Sequence, residues 1–113
     1  MKDRITKVNE LMKRELGQII LREVEMPENA VVTLTRVAAS GNLQQAKVYI
    51  SVVPDEKAQE ALKALGQNVF PIQQILNKKL KMRPVPKILW VLERATVEAQ
   101  RIEELLDQIK GKG

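Results

Sequence analysis

Lys78, Lys79, Lys81, Arg83 and Lys87 place five cations within ten residues, with no acid among them. The acid-free stretch is longer still. Between Glu60 and Glu93 there is no aspartate or glutamate, and Lys63 adds a sixth cation. This window carries +6 while the whole chain carries +5, so it accounts for all of the net charge and slightly more. The chemistry open to such a cluster is polyanion binding. Lysine ammonium groups act as point charges on phosphate, and a guanidinium can bond two oxygens at once or stack on a ring. An ordinary solvated lysine face interleaves acids for local pairing. Their absence favours nucleic acid, with phosphate contacts that would position the protein without reading sequence. Lys63, Arg36, Lys47, Arg4 and Arg14 are secondary candidates, each with structural or solvated service as its plainer role.

Catalysis is not expected. The chain has neither histidine nor cysteine, so the commonest general base, the strongest nucleophile and the usual zinc ligands are missing. Carboxylates such as Glu103, Glu104 and Asp107 sit in helical runs, the pattern of an exposed helix face. No metal site, cofactor or small-molecule substrate is implied. The single Trp, Tyr and Phe are too few for a base-stacking platform. Trp90 and Phe70 are expected in the core, and Tyr49 over a sheet face.

These residues need elements to position them. With 113 residues, 44% hydrophobic and 29% charged, the chain is expected to form one domain over 1–113. A domain of this size buries roughly two-thirds of its unfolded surface. Charges interrupt the N-terminus every few residues, and no apolar run approaches the ~20 residues of a membrane span. A cytoplasmic location is the default expectation.

Ile5, Val8, Leu11, Met12, Leu16, Ile19, Ile20 and Val24 recur at steps of three and four, predicting a helix over 3–25 capped by Asp3 and stopped before Pro27. Residues 31–39 and 44–53 read as two strands, the second alternating Ala46, Val48, Ile50 and Val52 against Lys47, Tyr49 and Ser51. Ser40-Gly41-Asn42 supplies turn residues that tolerate positive φ and join the strands as a hairpin. Asp55 is expected to cap a helix carrying Ala58, Ala61, Leu62 and Leu65. A break over 66–70 is expected from Gly66, with Phe70 pushed toward extended geometry by Pro71. A further helix then runs from Pro71 to about Leu80 with Ile72, Ile75, Leu76 and Leu80 inward and Gln74, Lys78 and Lys81 outward. Residues 88–92 form a third strand, and Thr96 caps a last helix bearing Val97, Ile102, Leu105, Leu106 and Ile109.

This order defines an α+β fold: helix, strand, strand, helix, kink, helix, strand, with a short C-terminal helix. It is the type II KH arrangement. KH domains clamp a nucleotide backbone with a GXXG loop between the paired helices. Here that junction reads Gly66-Gln67-Asn68-Val69, with only the first glycine. A KH shape without the clamp points to folded RNA, met by charge and form.

Taken together, several segments resemble the ribosome-binding factor A family of bacteria over about residues 4–105. Arg4, Val8 and Arg14-Glu15-Leu16 are similar to its first helix. Ser40, Leu43 and Ala46-Lys47-Val48-Tyr49-Ile50-Ser51-Val52 resemble its hairpin, and Ala61-Leu62 its next helix. Leu80, Arg83, Pro86 and Trp90-Val91-Leu92 resemble the approach to its last strand and the strand itself. Arg101-Ile102 and Leu105-Leu106 are similar to its C-terminal helix. There are departures. Gly41-Asn42 stands where the family usually has Pro-Asp, and Glu93 where it commonly has Asp. Asn68, Val69 and Phe70, followed by Pro71, occupy its Ala-x-Gly kink motif, so Gly66, Asn68, Phe70 and Pro71 become the interhelical kink candidates. The resemblance implies a non-catalytic, monomeric assembly factor that binds free 30S subunits and 16S rRNA late in rRNA maturation and is tied to cold adaptation. The rival expectations are a general KH-like RNA or DNA binder, and a protein–protein adaptor using the long first helix.

Overall fold

In the computed structural model the described residues are 3–93. The expected C-terminal helix from Thr96 lies outside them. Helix α1 (Arg4–Glu23) starts as the sequence predicts, with the Asp3 carboxylate accepting the Thr6 amide at 2.8 Å. That hydrogen bond holds the Asp3 carboxyl below its ordinary value. Val8, Met12, Leu16, Ile19 and Ile20 form the buried stripe.

Strands β1 (Val31–Ala39) and β2 (Gln45–Val53) pair antiparallel, and β3 (Lys87–Leu92) lies parallel to β2 on its other side. The hairpin loop differs from expectation in detail. Its left-handed residue is Leu43, at φ 58°, in place of Gly41 or Asn42. Side-chain bonds and burial sustain that conformation. Ser40 Oγ accepts the Gln44 and Gln45 amides, Asn42 Oδ1 also accepts from Gln44, and Leu43 packs against the core. At the same end, Asn9 Oδ1 of α1 accepts the Ala39 amide at 2.7 Å.

A parallel partner for β2 requires a crossover. It is built from a 3-10 turn (Asp55–Lys57), α2 (Ala58–Gln67) and α3 (Val69–Lys79). Asp55 is thus the first residue of a 3-10 turn and not the helix cap. The break is narrower than predicted, a single residue, Asn68, between the two helices. Phe70 and Pro71 are helical, as the second and third residues of α3. Proline fits there because the first four helix N–H groups lack intrahelical acceptors anyway.

Ala46, Val48, Ile50 and Val52 of β2 and Ile88 of β3 face the helices, meeting Met12, Leu16 and Ile19 of α1, Leu65 of α2, and Ile72 and Leu76 of α3. Ile72 and Leu76 are fully buried, each contributing about 1.5–3 kcal/mol. Leu62 and Ile75 are only half-buried. The opposite sheet face is open, and carries Arg36, Lys47, Tyr49 and Leu89.

Candidate nucleic-acid interface

The basic cluster follows from how α3 ends and β3 begins. Ile72 and Leu76 turn inward, so Gln74, Asn77, Lys78 and Lys79 project outward, all exposed. Leu80 caps the helix in extended geometry, its amide bonded to the Leu76 carbonyl. Lys78 and Lys79 in the last turn also suit the negative end of the helix dipole. The connection over 81–86 then folds back to the sheet. Val85 and Pro86 are buried while Lys81, Arg83 and Pro84 stay exposed. Lys87 opens β3, its amide bonded to the Gln44 carbonyl at 3.0 Å.

Arg83 and Lys87 border one shallow depression with Gln73, Asn77 and Pro84. Lys87 also lines an adjoining one with Gln44 and Gln45 of the hairpin loop. The five primary candidates therefore follow one another along the chain, all exposed, from the end of α3 through the connection to the start of β3, the α3–β3 edge. No ion pair among the described residues engages Lys78, Lys79, Lys81 or Lys87. Arg83 is partly committed. Its Nη1 donates to the Leu80 and Met82 carbonyls at 3.0 and 2.6 Å, which caps the helix end through one nitrogen of an exposed side chain.

Of the secondary candidates, Lys47 stands two residues along β2 from Gln45, the register partner of Lys87, and the others lie elsewhere. Arg36 lies on the open sheet face, 3.8 Å above the Tyr49 ring, with its Nε 3.2 Å from Glu93 Oε1. A bulge at Thr35 aims it there, and the Thr35 hydroxyl donates to Glu93 and to the Tyr49 carbonyl. These bonds from Thr35 and then Arg36 hold the Glu93 carboxyl below the ordinary glutamate range. Lys47 shares the same sheet face, beside Tyr49 and Leu89. Lys63 is exposed on α2, Arg4 and Arg14 on α1, and Arg14 sits 3.7 Å from Glu15.

The kink belongs to Asn68. Its amide reaches back to the Ala64 and Leu65 carbonyls, its Nδ2 donates to Ala64 O at 2.7 Å, and its own carbonyl accepts Ile72 N–H. Gly66, expected to cause the break, is an ordinary exposed residue of α2 with open space where a Cβ would stand. Phe70, expected in the core, is 70% exposed. Trp90 is half-buried against the core.

Sequence reading missed Gln73. Its Oε1 accepts the Ile88 amide at 2.9 Å, and its Nε2 donates to the Pro86 carbonyl at 3.1 Å and to Asn77 Oδ1 at 3.0 Å. It thereby splints α3 to β3 and sets the depression that Arg83 and Lys87 border. The signal was one glutamine set beside Ile72 in an otherwise apolar inward stripe.

Among the described residues no group of three histidine, cysteine or acidic side chains converges as a metal site, and no helix is long and apolar enough to cross a membrane. From Phe70 to Lys87 the exposed residues are cations, amides, two prolines and one phenyl ring.

A helix and a hairpin, followed by a two-helix crossover to a parallel third strand, with a run of exposed cations where the crossover re-enters the sheet, define a KH-like α+β fold. A sequence model of ribosome-binding factor A matches residues 4–106, and the chain belongs to that family. The fold is similar to the crystal structure of ribosome-binding factor A from Thermus thermophilus, with 22% identity, a TM-score of 0.68, and 80% of this chain and 97% of that one covered. A Thermotoga maritima protein described as a ribosome-binding factor A, solved in solution, matches with 22% identity and a TM-score of 0.68 over 80% and 90% of the two chains. A homology model of Thermus thermophilus ribosome-binding factor A, fitted into the cryo-electron-microscopy map of a complex of that protein with 30S, matches with 26% identity and a TM-score of 0.64 over 76% and 91%.

Proposed function

We propose that this protein acts in the cytoplasm as a single-domain, monomeric, non-catalytic factor that binds the free 30S subunit through 16S rRNA. It would assist late maturation and processing of that rRNA. Lys78, Lys79, Lys81, Arg83 and Lys87 make the phosphate contacts. The observation that carries the reading is the run of exposed cations, within a sequence window free of acids, in a chain of the ribosome-binding factor A family. The fitting of a Thermus relative into a 30S complex supports the choice of partner.

Mechanistically, the edge supplies charge on a rigid frame. The Gln73 splint and the buried Val85 and Pro86 hold the connection, so its backbone needs little ordering on binding. Phosphate contacts along this edge fix register and orientation on a folded rRNA surface. Binding holds one rRNA conformation, and release follows when maturation removes that surface.

The test is co-sedimentation with free 30S subunits. K78E/K79E/K81E is the first variant, because it leaves the Arg83 cap intact, and R83E is tested separately. Loss of co-sedimentation by the triple variant supports the reading; undiminished binding defeats the site assignment.

A further inference from the structure

We propose that Phe70 is a base-stacking residue, taking one unpaired base of the RNA whose phosphates the α3 lysines hold. This deepens the reading above and rests on it. Phe70 is the chain's one phenylalanine and stands 70% exposed at the start of α3, close after the Asn68 kink. An aromatic placed for packing would be turned inward, as Ile72 is two residues later. Phe70, Gln74 and Lys78 recur at steps of four along α3 and are all exposed, so they share one outward face. Pro71, the next residue, is exposed as well.

At 1.5 Å per residue, Phe70 and Lys78 lie about 12 Å apart along the helix. A ring at one end can take a base while the ammonium at the other takes a phosphate of a neighbouring nucleotide. Gln74 between them offers a donor and an acceptor. The whole face lies inside the acid-free window, so its charge complements an RNA strand. The kink is also where KH domains approach a nucleotide backbone through glycines. Here the second glycine's position is Val69, packed against the core, and the exposed ring of Phe70 follows it directly, offering a π-face beside a junction that lacks the backbone clamp. Stacking on one aromatic is tolerant of base identity, so the expected preference is for an unpaired base, whichever it is.

The experiment compares full-length wild type, F70A, F70L, F70W and K78E/K79E/K81E. The probes are a single-stranded RNA carrying one 2-aminopurine, a fully paired RNA duplex, and free 30S subunits. Stacking predicts that F70A and F70L weaken single-strand and 30S binding by roughly 5- to 150-fold. Their salt slope should stay at the wild-type value, and F70W should restore both affinity and 2-aminopurine quenching. Duplex binding should not change. If F70A binds all three probes as wild type does while the lysine variant fails, the stacking role is overturned and the electrostatic reading stands. If the lysine variant also binds normally, the proposed function itself fails. A change confined to self-association of F70A in sedimentation would assign the ring to a second copy of the chain and overturn the proposal. Phe70 is an exposed helix position, so F70A should unfold at the wild-type temperature.

Discussion

Replacing Gln73 with alanine should loosen the α3–β3 edge without touching a single cation. β3 is an edge strand of the sheet. Its Lys87 amide turns toward β2 to reach Gln44, so the next amide, Ile88, turns outward, where the Gln73 carboxamide takes it. The same side chain satisfies the Pro86 carbonyl. Each net hydrogen bond is worth about 0.5–1.5 kcal/mol, and unpaired part-buried partners add to the loss, so Q73A should cost about 2 kcal/mol. For a domain of this size that is a fall in Tm of roughly 8–15 °C. Urea unfolding gives the free energy, and amide exchange locates it. The Ile88 amide should lose protection while the Leu89 amide keeps it. Q73E should remain well below wild type, because a carboxylate can accept from Ile88 but cannot donate to Pro86. Affinity for 30S subunits should also drop, through a less ordered Arg83 and Lys87, with the salt slope retained. Wild-type stability and a protected Ile88 amide in Q73A would refute the splint.

G66A should leave the fold intact and stabilise it by up to about 1 kcal/mol, since α2 gains a better helix former with open space around the new methyl; urea unfolding checks this, and destabilisation would return the kink to Gly66. Glu93 titrates below the ordinary glutamate value in the folded chain, so the unfolded state binds more protons as acid is added. The stability of wild type over E93Q should therefore be full at neutral pH and shrink below about pH 4, near the unfolded glutamate value; a gap that is constant with pH would dismiss the Thr35–Glu93–Arg36 bonds. R36M should alter stability modestly and leave the salt dependence of subunit binding unchanged, because Arg36 is spent on Glu93 and Tyr49.

Much of this architecture was legible in the residues. The alternation through β2 and the three-and-four spacing in α1 report burial directly, and both elements end within about two residues of the predicted bounds, as is usual for such assignments. The misreadings share one cause: local propensity was overruled by long-range packing and side-chain bonds. Pro71 and Gly66 looked like breakers, but proline is harmless in a first turn, and the break was made by the Asn68 side chain reaching back to Ala64. Leu43 adopts the left-handed turn because its side chain is drawn to the core, which no turn propensity records. Phe70 was assigned inward on hydrophobicity alone, while the phase of α3 is set by Ile72 and Leu76.

The candidate edge was legible as charge, because absent acids need no structure to be seen. What could not be read was which cations already have partners. Arg36 and Glu93 are 57 residues apart in sequence, and only the bulge at Thr35 brings them together. Arg83's double role also required seeing the Leu80 and Met82 carbonyls turned toward it.

If the α3–β3 edge binds rRNA phosphates on the free small subunit, its affinity must carry the signature of released counterions. That signature is read from the affinity of wild type and K78E/K79E/K81E for purified 30S subunits across a series of salt concentrations. Wild-type affinity should fall linearly on a log–log plot, and loss of three phosphate contacts should flatten the slope by about 2–3 while weakening binding at low salt. Equal affinity and equal slope for the two proteins would contradict phosphate binding by this edge.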